Sequence, residues 1–223
     1  MKYSTRSVAG RAREANHDSA GAFCADGIGL FVIADGTSRP GSGQLAECFV
    51  QEVLAACQKH MSQKTDKTEY EVVEQILRKV LAELHPVLFS SQTGSMCYLI
   101  GVITHGKLIL AYEGDCSCGV VAPKGSIAWV TSPHCKANWK RDRSHLELAQ
   151  DPARNRVTRC LKAGRTPVPE FVFLRVSTSE RLVFVTDGFW AELTESQQFS
   201  LLESPERDFA AVDDDVTWID VRL

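Results

Sequence analysis

Gly29-Leu30-Phe31-Val32-Ile33-Ala34-Asp35-Gly36 is an unbroken apolar run that ends in an acid and a glycine. Its lack of polar alternation suits a strand buried on both faces. The pattern returns at Arg181-Leu182-Val183-Phe184-Val185-Thr186-Asp187-Gly188. Similar runs lie at 96–104, 107–112, 171–176 and 216–221. Asp26-Gly27 and His105-Gly106 separate two pairs of runs at hairpin spacing, which predicts antiparallel sheets. Two amphipathic helices are expected, one over 43–59 with Leu45, Phe49, Val53 and Leu54 on one face. The other covers 69–89 and presents Val72, Val73, Ile76, Leu77, Val80, Leu81, Leu84 and Leu88. Shorter helices are expected over 154–161 and over 194–202, the latter with Thr194 as its cap and Gln197 completing a capping box. This order predicts an α+β fold of antiparallel sheets with helices packed outside. The charged stretch 132–152 has few aliphatics and reads as a surface excursion.

The 223 residues suit one domain, and 44% apolar with 24% charged residues is ordinary globular usage with enough material for a sizeable core. A net charge of -3 from 25 basic and 28 acidic residues provides no broad cationic face, so nucleic acid is not an expected partner. The first ten residues lack the apolar stretch of a signal peptide, and the apolar region 96–112 is broken by His105, Gly106 and Lys107. These features predict a cytoplasmic protein without a membrane segment. The eight cysteines are scattered along a chain too long to need stapling, so reduced thiols without a functional role are expected.

Chemistry points to the acids. An Asp at the end of a buried strand holds its carboxylate on a rigid element, and the following Gly lets the backbone turn and offer a carbonyl to a hard cation. Asp-Gly is also the commonest hairpin turn, which is how Asp26-Gly27 reads. Asp35-Gly36 and Asp187-Gly188 do not return as hairpins. A third cluster, Asp213-Asp214-Asp215, precedes the last strand, where adjacent acids repel unless solvated or neutralised by a cation. Near the N-terminus, Arg13 lies five residues before Asp18, a pairing that could hold a phosphate beside a metal.

In this order the motifs resemble the metal-dependent protein phosphatase family, the type 2C serine/threonine phosphatases, in their compact bacterial form. The resemblance rests on Arg13 to Asp18, Phe31 to Gly36, Gly43 with Ala46, and Gly94-Ser95. It continues through Gly114-Asp115, Pro152 to Arg159, Leu182 to Gly188, and Asp214-Asp215-Val216-Thr217. It implies a single phosphatase domain over 1–223, built as two central antiparallel sheets flanked by helices in a four-layer α-β-β-α sandwich. It further implies two Mn²⁺ or Mg²⁺ ions held by Asp18, Asp35, the Gly36 carbonyl, Asp187 and Asp214, with Asp115 near a third, weaker ion. Arg13, with Arg39, would contact the substrate. The implied activity is hydrolysis of phosphoserine or phosphothreonine on proteins, the targets of a Ser/Thr kinase, by a metal-activated water and a monomeric enzyme. The chain differs from the family pattern at Thr37, Ser38-Arg39-Pro40, His17 and Cys116-Ser117.

The residues allow three other readings. Cys135 followed by Arg141 has Cys-x5-Arg spacing but no glycines to aim amides at an oxyanion. Asp213-Asp214-Asp215-Val216-Thr217 matches an Asp-x-Asp-x-Thr nucleophile motif, but only six residues follow it. A phosphoprotein-binding module of the same fold that has lost turnover is the alternative from a different functional class.

Overall fold

Asp26 and Gly27 both take positive φ, 51° and 75°, the conformation a two-residue hairpin turn needs. They join β2 (Asp18–Ala25) to β3 (Ile28–Gly36). His105 and Gly106, at φ 45° and 73°, do the same for β4 (Ser95–Thr104) and β5 (Lys107–Glu113). The computed structural model describes residues 1–12, 14–63, 69–204 and 212–223, with the side chains of 62 and 63 excepted.

The remaining strands are β1 (Lys2–Val8), β6 (Ser117–Val121), β7 (Ile127–Trp129), β8 (Leu161–Lys162), β9 (Glu170–Arg175), β10 (Arg181–Val185) and β11 (Val216–Arg222). One sheet has five strands in the order β1-β11-β10-β6-β7; the other has β2-β3-β4-β5-β9, with β8 paired to β4. Every pairing is antiparallel.

Strand alternation explains why the deciding runs are apolar throughout. In β3, Leu30, Val32 and Ala34 face outward and pack under α1 (Ser42–Gln63) and α2 (Tyr70–Leu88), against Leu45, Phe49, Val53, Ile76 and Leu77. Phe31 and Ile33 face inward and meet Leu182, Phe184, Ile219 and Val221 of the opposite sheet. Phe31 and Phe184 stack with ring centroids 5.3 Å apart. The outer face of the second sheet, with Val183, Val185 and Trp218, is covered by Leu148 of α3 (His145–Ala149) and by Leu201 and Leu202 of α4 (Glu195–Glu203). The result is the α-β-β-α sandwich expected from the sequence. The capping box of α4 forms as expected: the Thr194 hydroxyl accepts from the Gln197 N–H at 3.3 Å, and the Gln197 carboxamide oxygen accepts from the Thr194 N–H at 2.9 Å.

Two local expectations fail. The helix expected over 154–161 is instead a single 3₁₀ turn, Pro152–Asn155, followed by extended chain and β8. Its backbone groups pair across to another segment: the Thr158 N–H donates to the His134 carbonyl at 2.8 Å, and Val157 bridges Cys135. The stretch 132–152 is not wholly superficial, because His134, Cys135, Asn138, His145 and Leu148 are buried. Four strands, β1, β6, β7 and β8, were not singled out in the sequence. All eight cysteines are unpaired. Among the described residues no helix is long and apolar enough to cross a membrane.

Candidate metal centre

The two Asp-Gly strands belong to different sheets, yet they end at the same rim of the sandwich. Asp18 and Asp35 are direct cross-strand partners at the open end of the β2–β3 hairpin, so both carboxylates leave the same face of the sheet. From the opposite sheet, the Thr186 hydroxyl donates to Asp18 Oδ2 at 2.7 Å and ties the two strand ends together. Between them lies a cavity of about 190 Å³, lined by Asp35, Gly36, Asp115, Asp187 and Asp214 together with Thr37, Ser38, Cys97, Asn155 and Val157. Asp18 opens on an adjoining recess with Asn16 and His17.

Glycines bring the backbone close enough. A Cβ on Gly36 would come within 2.7 Å of the Ser42 carbonyl and 2.8 Å of the His17 carbonyl, so this strand end threads between the start of β2 and the start of α1. Gly114, at φ 112°, passes directly over Cys97, where any side chain would collide with the cysteine. The turn it makes delivers Asp115 to the rim. Gly94, at φ 96°, similarly packs against Ser42, whose hydroxyl accepts from the Ser95 N–H at 3.1 Å.

The three consecutive acids have three different roles. Asp213 is exposed and pairs with Arg11 at 2.5 Å. Asp214 lines the cavity. Asp215 is buried and clamps the N-terminal segment, accepting from the Gly10 N–H at 2.9 Å and the His17 N–H at 2.8 Å. That clamp sets the start of β2, and with it Asp18. A side chain on Gly10 would run into the backbone of Asp213 and Asp214.

Electrostatically the site is overloaded with negative charge. Burial, with repulsion from Asp215 and Asp214, raises Asp18 to about 7 despite hydrogen bonds that oppose the shift. Burial also holds Asp35 and Asp187 well above the usual carboxylate range, with neighbouring aspartates reinforcing it, and raises Asp115. Among the described residues Arg154 answers them from the 3₁₀ turn. Its Nη1 lies 3.1 Å from Asp187 Oδ2 and its Nη2 3.6 Å from Glu192 Oε1. Glu192 Oε2 in turn accepts the backbone N–H groups of Asp213 and Asp214 at 2.8 and 3.1 Å. The Oδ1 atom of Asp115 is buried with no hydrogen-bond partner. All-oxygen donors, surplus negative charge and an orphaned carboxylate oxygen fit hard divalent cations. Among the described residues no three His, Cys, Asp or Glu side chains are already gathered into a cage.

The structure thus brings Asp35, Gly36, Asp115, Asp187 and Asp214 to one cavity, with Asp18 tied to its edge. Arg13 lies outside the described residues. Arg39 is exposed beside the mouth, one residue beyond Ser38. Sequence reasoning missed Arg154, Glu192, Asp215 and Thr186, although Arg154, Thr186 and Asp215 lie within motifs it quoted. The rival motifs dissolve: burial raises the Cys135 thiol, Arg141 is engaged with Glu170 at 2.7 Å, and Asp213 points outward to Arg11.

No family model and no curated protein matches the sequence. Solved structures do match. The serine/threonine phosphatase of S. agalactiae superposes with a TM-score of 0.74 at 16% identity, covering 98% of both chains. The PPM Ser-Thr phosphatase MsPP of Mycobacterium smegmatis, solved with cacodylate, gives 0.75 at 18% identity over 100% of this chain and 98% of that one. The chain has the fold of the bacterial serine/threonine phosphatases. The catalytic domain of the phosphatase PstP, solved with two manganese ions, has this fold as well, with a TM-score of 0.67 at 14% identity over 98% of this chain and 96% of that one.

Proposed function

We propose that this chain is a metal-dependent protein phosphatase that hydrolyses phosphoserine and phosphothreonine esters left by a Ser/Thr kinase. The observation that carries the reading is the convergence of Asp35, Asp115, Asp187 and Asp214 on one cavity, with Asp18 at its edge and a buried Asp115 oxygen lacking a partner. Asp18, Asp35, the Gly36 carbonyl, Asp187 and Asp214 would hold two Mn²⁺ or Mg²⁺ ions, and Asp115 a weaker third. Such ions supply a water acidic enough to act as nucleophile at neutral pH and positive charge for the phosphoryl oxygens. The protein's own part is positional. Thr186 fixes the Asp18 carboxylate, Asp215 fixes the strand that carries it, and Glu192 fixes the backbone of Asp214. Arg13 would bind and orient the phosphate, with Arg39 contacting the substrate beside it. The expected setting is a monomer in the cytoplasm.

Phosphate release from a phosphothreonine peptide tests this reading, measured with Mn²⁺, with Mg²⁺ and with EDTA. Turnover should require either cation and stop on chelation. Full turnover in a metal-free sample, or none with Mn²⁺, would overturn it.

A further inference from the structure

From Pro152 to Pro169 the chain carries five cations, Arg154, Arg156, Arg159, Lys162 and Arg165, and no acid, within a protein of net charge -3. Three of them are committed inward. Arg154 pairs with Asp187, Arg159 lies 3.6 Å from Glu170 and 3.8 Å from Glu113, and Arg165 also pairs with Glu113. Arg156 and Lys162 are exposed, as is Arg39, and none of the three has an acidic partner among the described residues.

Two of these three adjoin residues that line the acidic cavity, and the third is held on β8. Arg39 follows Ser38, and Arg156 lies between Asn155 and Val157; Ser38, Asn155 and Val157 all line the cavity. Lys162 is the cross-strand partner of Ser95. The Ser95 carbonyl accepts from both the Thr37 N–H and the Thr37 hydroxyl at 3.0 Å, so β8 and the Thr37–Arg39 loop flank one residue. Burial raises the Cys160 thiol, and Lys162, Arg165 and Arg39 all oppose that shift.

We infer that Arg39, Arg156 and Lys162 form a docking rim for acidic residues flanking the phosphorylated side chain of a protein substrate. This rests on the phosphatase reading of the cavity. Cations left unpaired at the edge of a negatively charged pocket attract anionic chain and set its path into the site. Three separate point charges match a short acidic segment. Duplex nucleic acid would need a broad basic face.

Binding tests the rim separately from turnover. Two fluorescent peptides carry the non-hydrolysable phosphonate analogue of phosphothreonine, flanked in one by glutamates and in the other by glutamines. In Mn²⁺ at low salt, the acidic peptide should bind about tenfold more tightly, since each exposed charge pair contributes a few-fold. The preference should shrink to within about twofold in 0.5 M salt and in an Arg156→Gln/Lys162→Gln variant whose circular dichroism matches wild type. Equal binding of both peptides by wild type would overturn the rim, as would a preference untouched by the double substitution. Binding of anionic vesicles or duplex DNA as tight as that of the acidic peptide would also overturn it, by making the patch a general anion surface. The aryl phosphatase rate in Mn²⁺ judges the cavity's function independently of these outcomes.

Discussion

Replacing Arg154 with Met removes the guanidinium that pairs with Asp187 and keeps much of its apolar bulk. Its partners are well shielded: Arg154 is 13% exposed, Asp187 12% and Glu192 19%. Breaking a buried ion pair from one side costs about 3–5 kcal/mol, because the remaining charge is left without compensation. Residual solvent access and the readiness of Asp187 to take up a proton reduce that figure, and we expect about 2–3 kcal/mol near neutral pH. For a chain of this size that is a fall in Tm of about 5–10 °C for metal-free protein. Differential scanning fluorimetry in EDTA reads it directly. The loss should shrink on adding Mn²⁺, which supplies charge by another route. Arg154→Lys, which keeps the charge but not the fork, should recover only part of the loss. A Tm in EDTA unchanged by Arg154→Met would refute the view that this residue neutralises the cluster.

Asp187→Asn and Asp26→Asn change the same dipeptide at a strand end and in a hairpin turn. The first should weaken Mn²⁺ affinity at least about tenfold, read by metal titration of intrinsic fluorescence. The second should leave affinity unaltered, since Asn suits the 51° φ of Asp26 equally well. His145 provides a pH test. Burial lowers it from 6.5 to about 3, so the unfolded chain gains a proton on acidification that the folded chain refuses. Its contribution is therefore a loss of stability as pH falls below about 6.5, close to 1.4 kcal/mol per pH unit. In urea denaturation between pH 7 and 5, His145→Phe should show a slope shallower by about 2 kcal/mol in total; an identical slope would mean that the ring takes up its proton as readily in the fold as in the unfolded chain.

The apolar runs made the centre of the fold legible. β3, β4, β5, β10 and β11 are buried on both faces, and α1 and α2 have wide apolar stripes. The peripheral strands were not legible. Lys2–Val8 is mostly exposed and polar, and holds its place through pairing with β11. The failed helix over 154–161 shows the same limit, since its backbone is satisfied by His134 and Cys135, some twenty residues earlier. At the site, strand-end position pointed to Asp35 and Asp187. It could not separate Asp213, Asp214 and Asp215, adjacent identical residues whose described partners, among them Arg11 for Asp213 and Gly10 and His17 for Asp215, are distant along the chain.

The Asp215 clamp and the place of β11 between β1 and β10 have a consequence for how the protein is made. Among the described strands β1 pairs only with β11, which is synthesised roughly two hundred residues after it. A nascent chain that already contains Asp18, Asp35, Asp115 and Asp187 can pair β2 with β3, yet Asp215 is not there to clamp Gly10 and His17, and Asp214 has still to arrive. The contacts that complete the centre therefore span almost the whole sequence and carry the slow kinetics of high contact order. Synthesis itself acts as a timer: the centre lacks Asp214 and the Asp215 clamp until residues 214 and 215 have emerged.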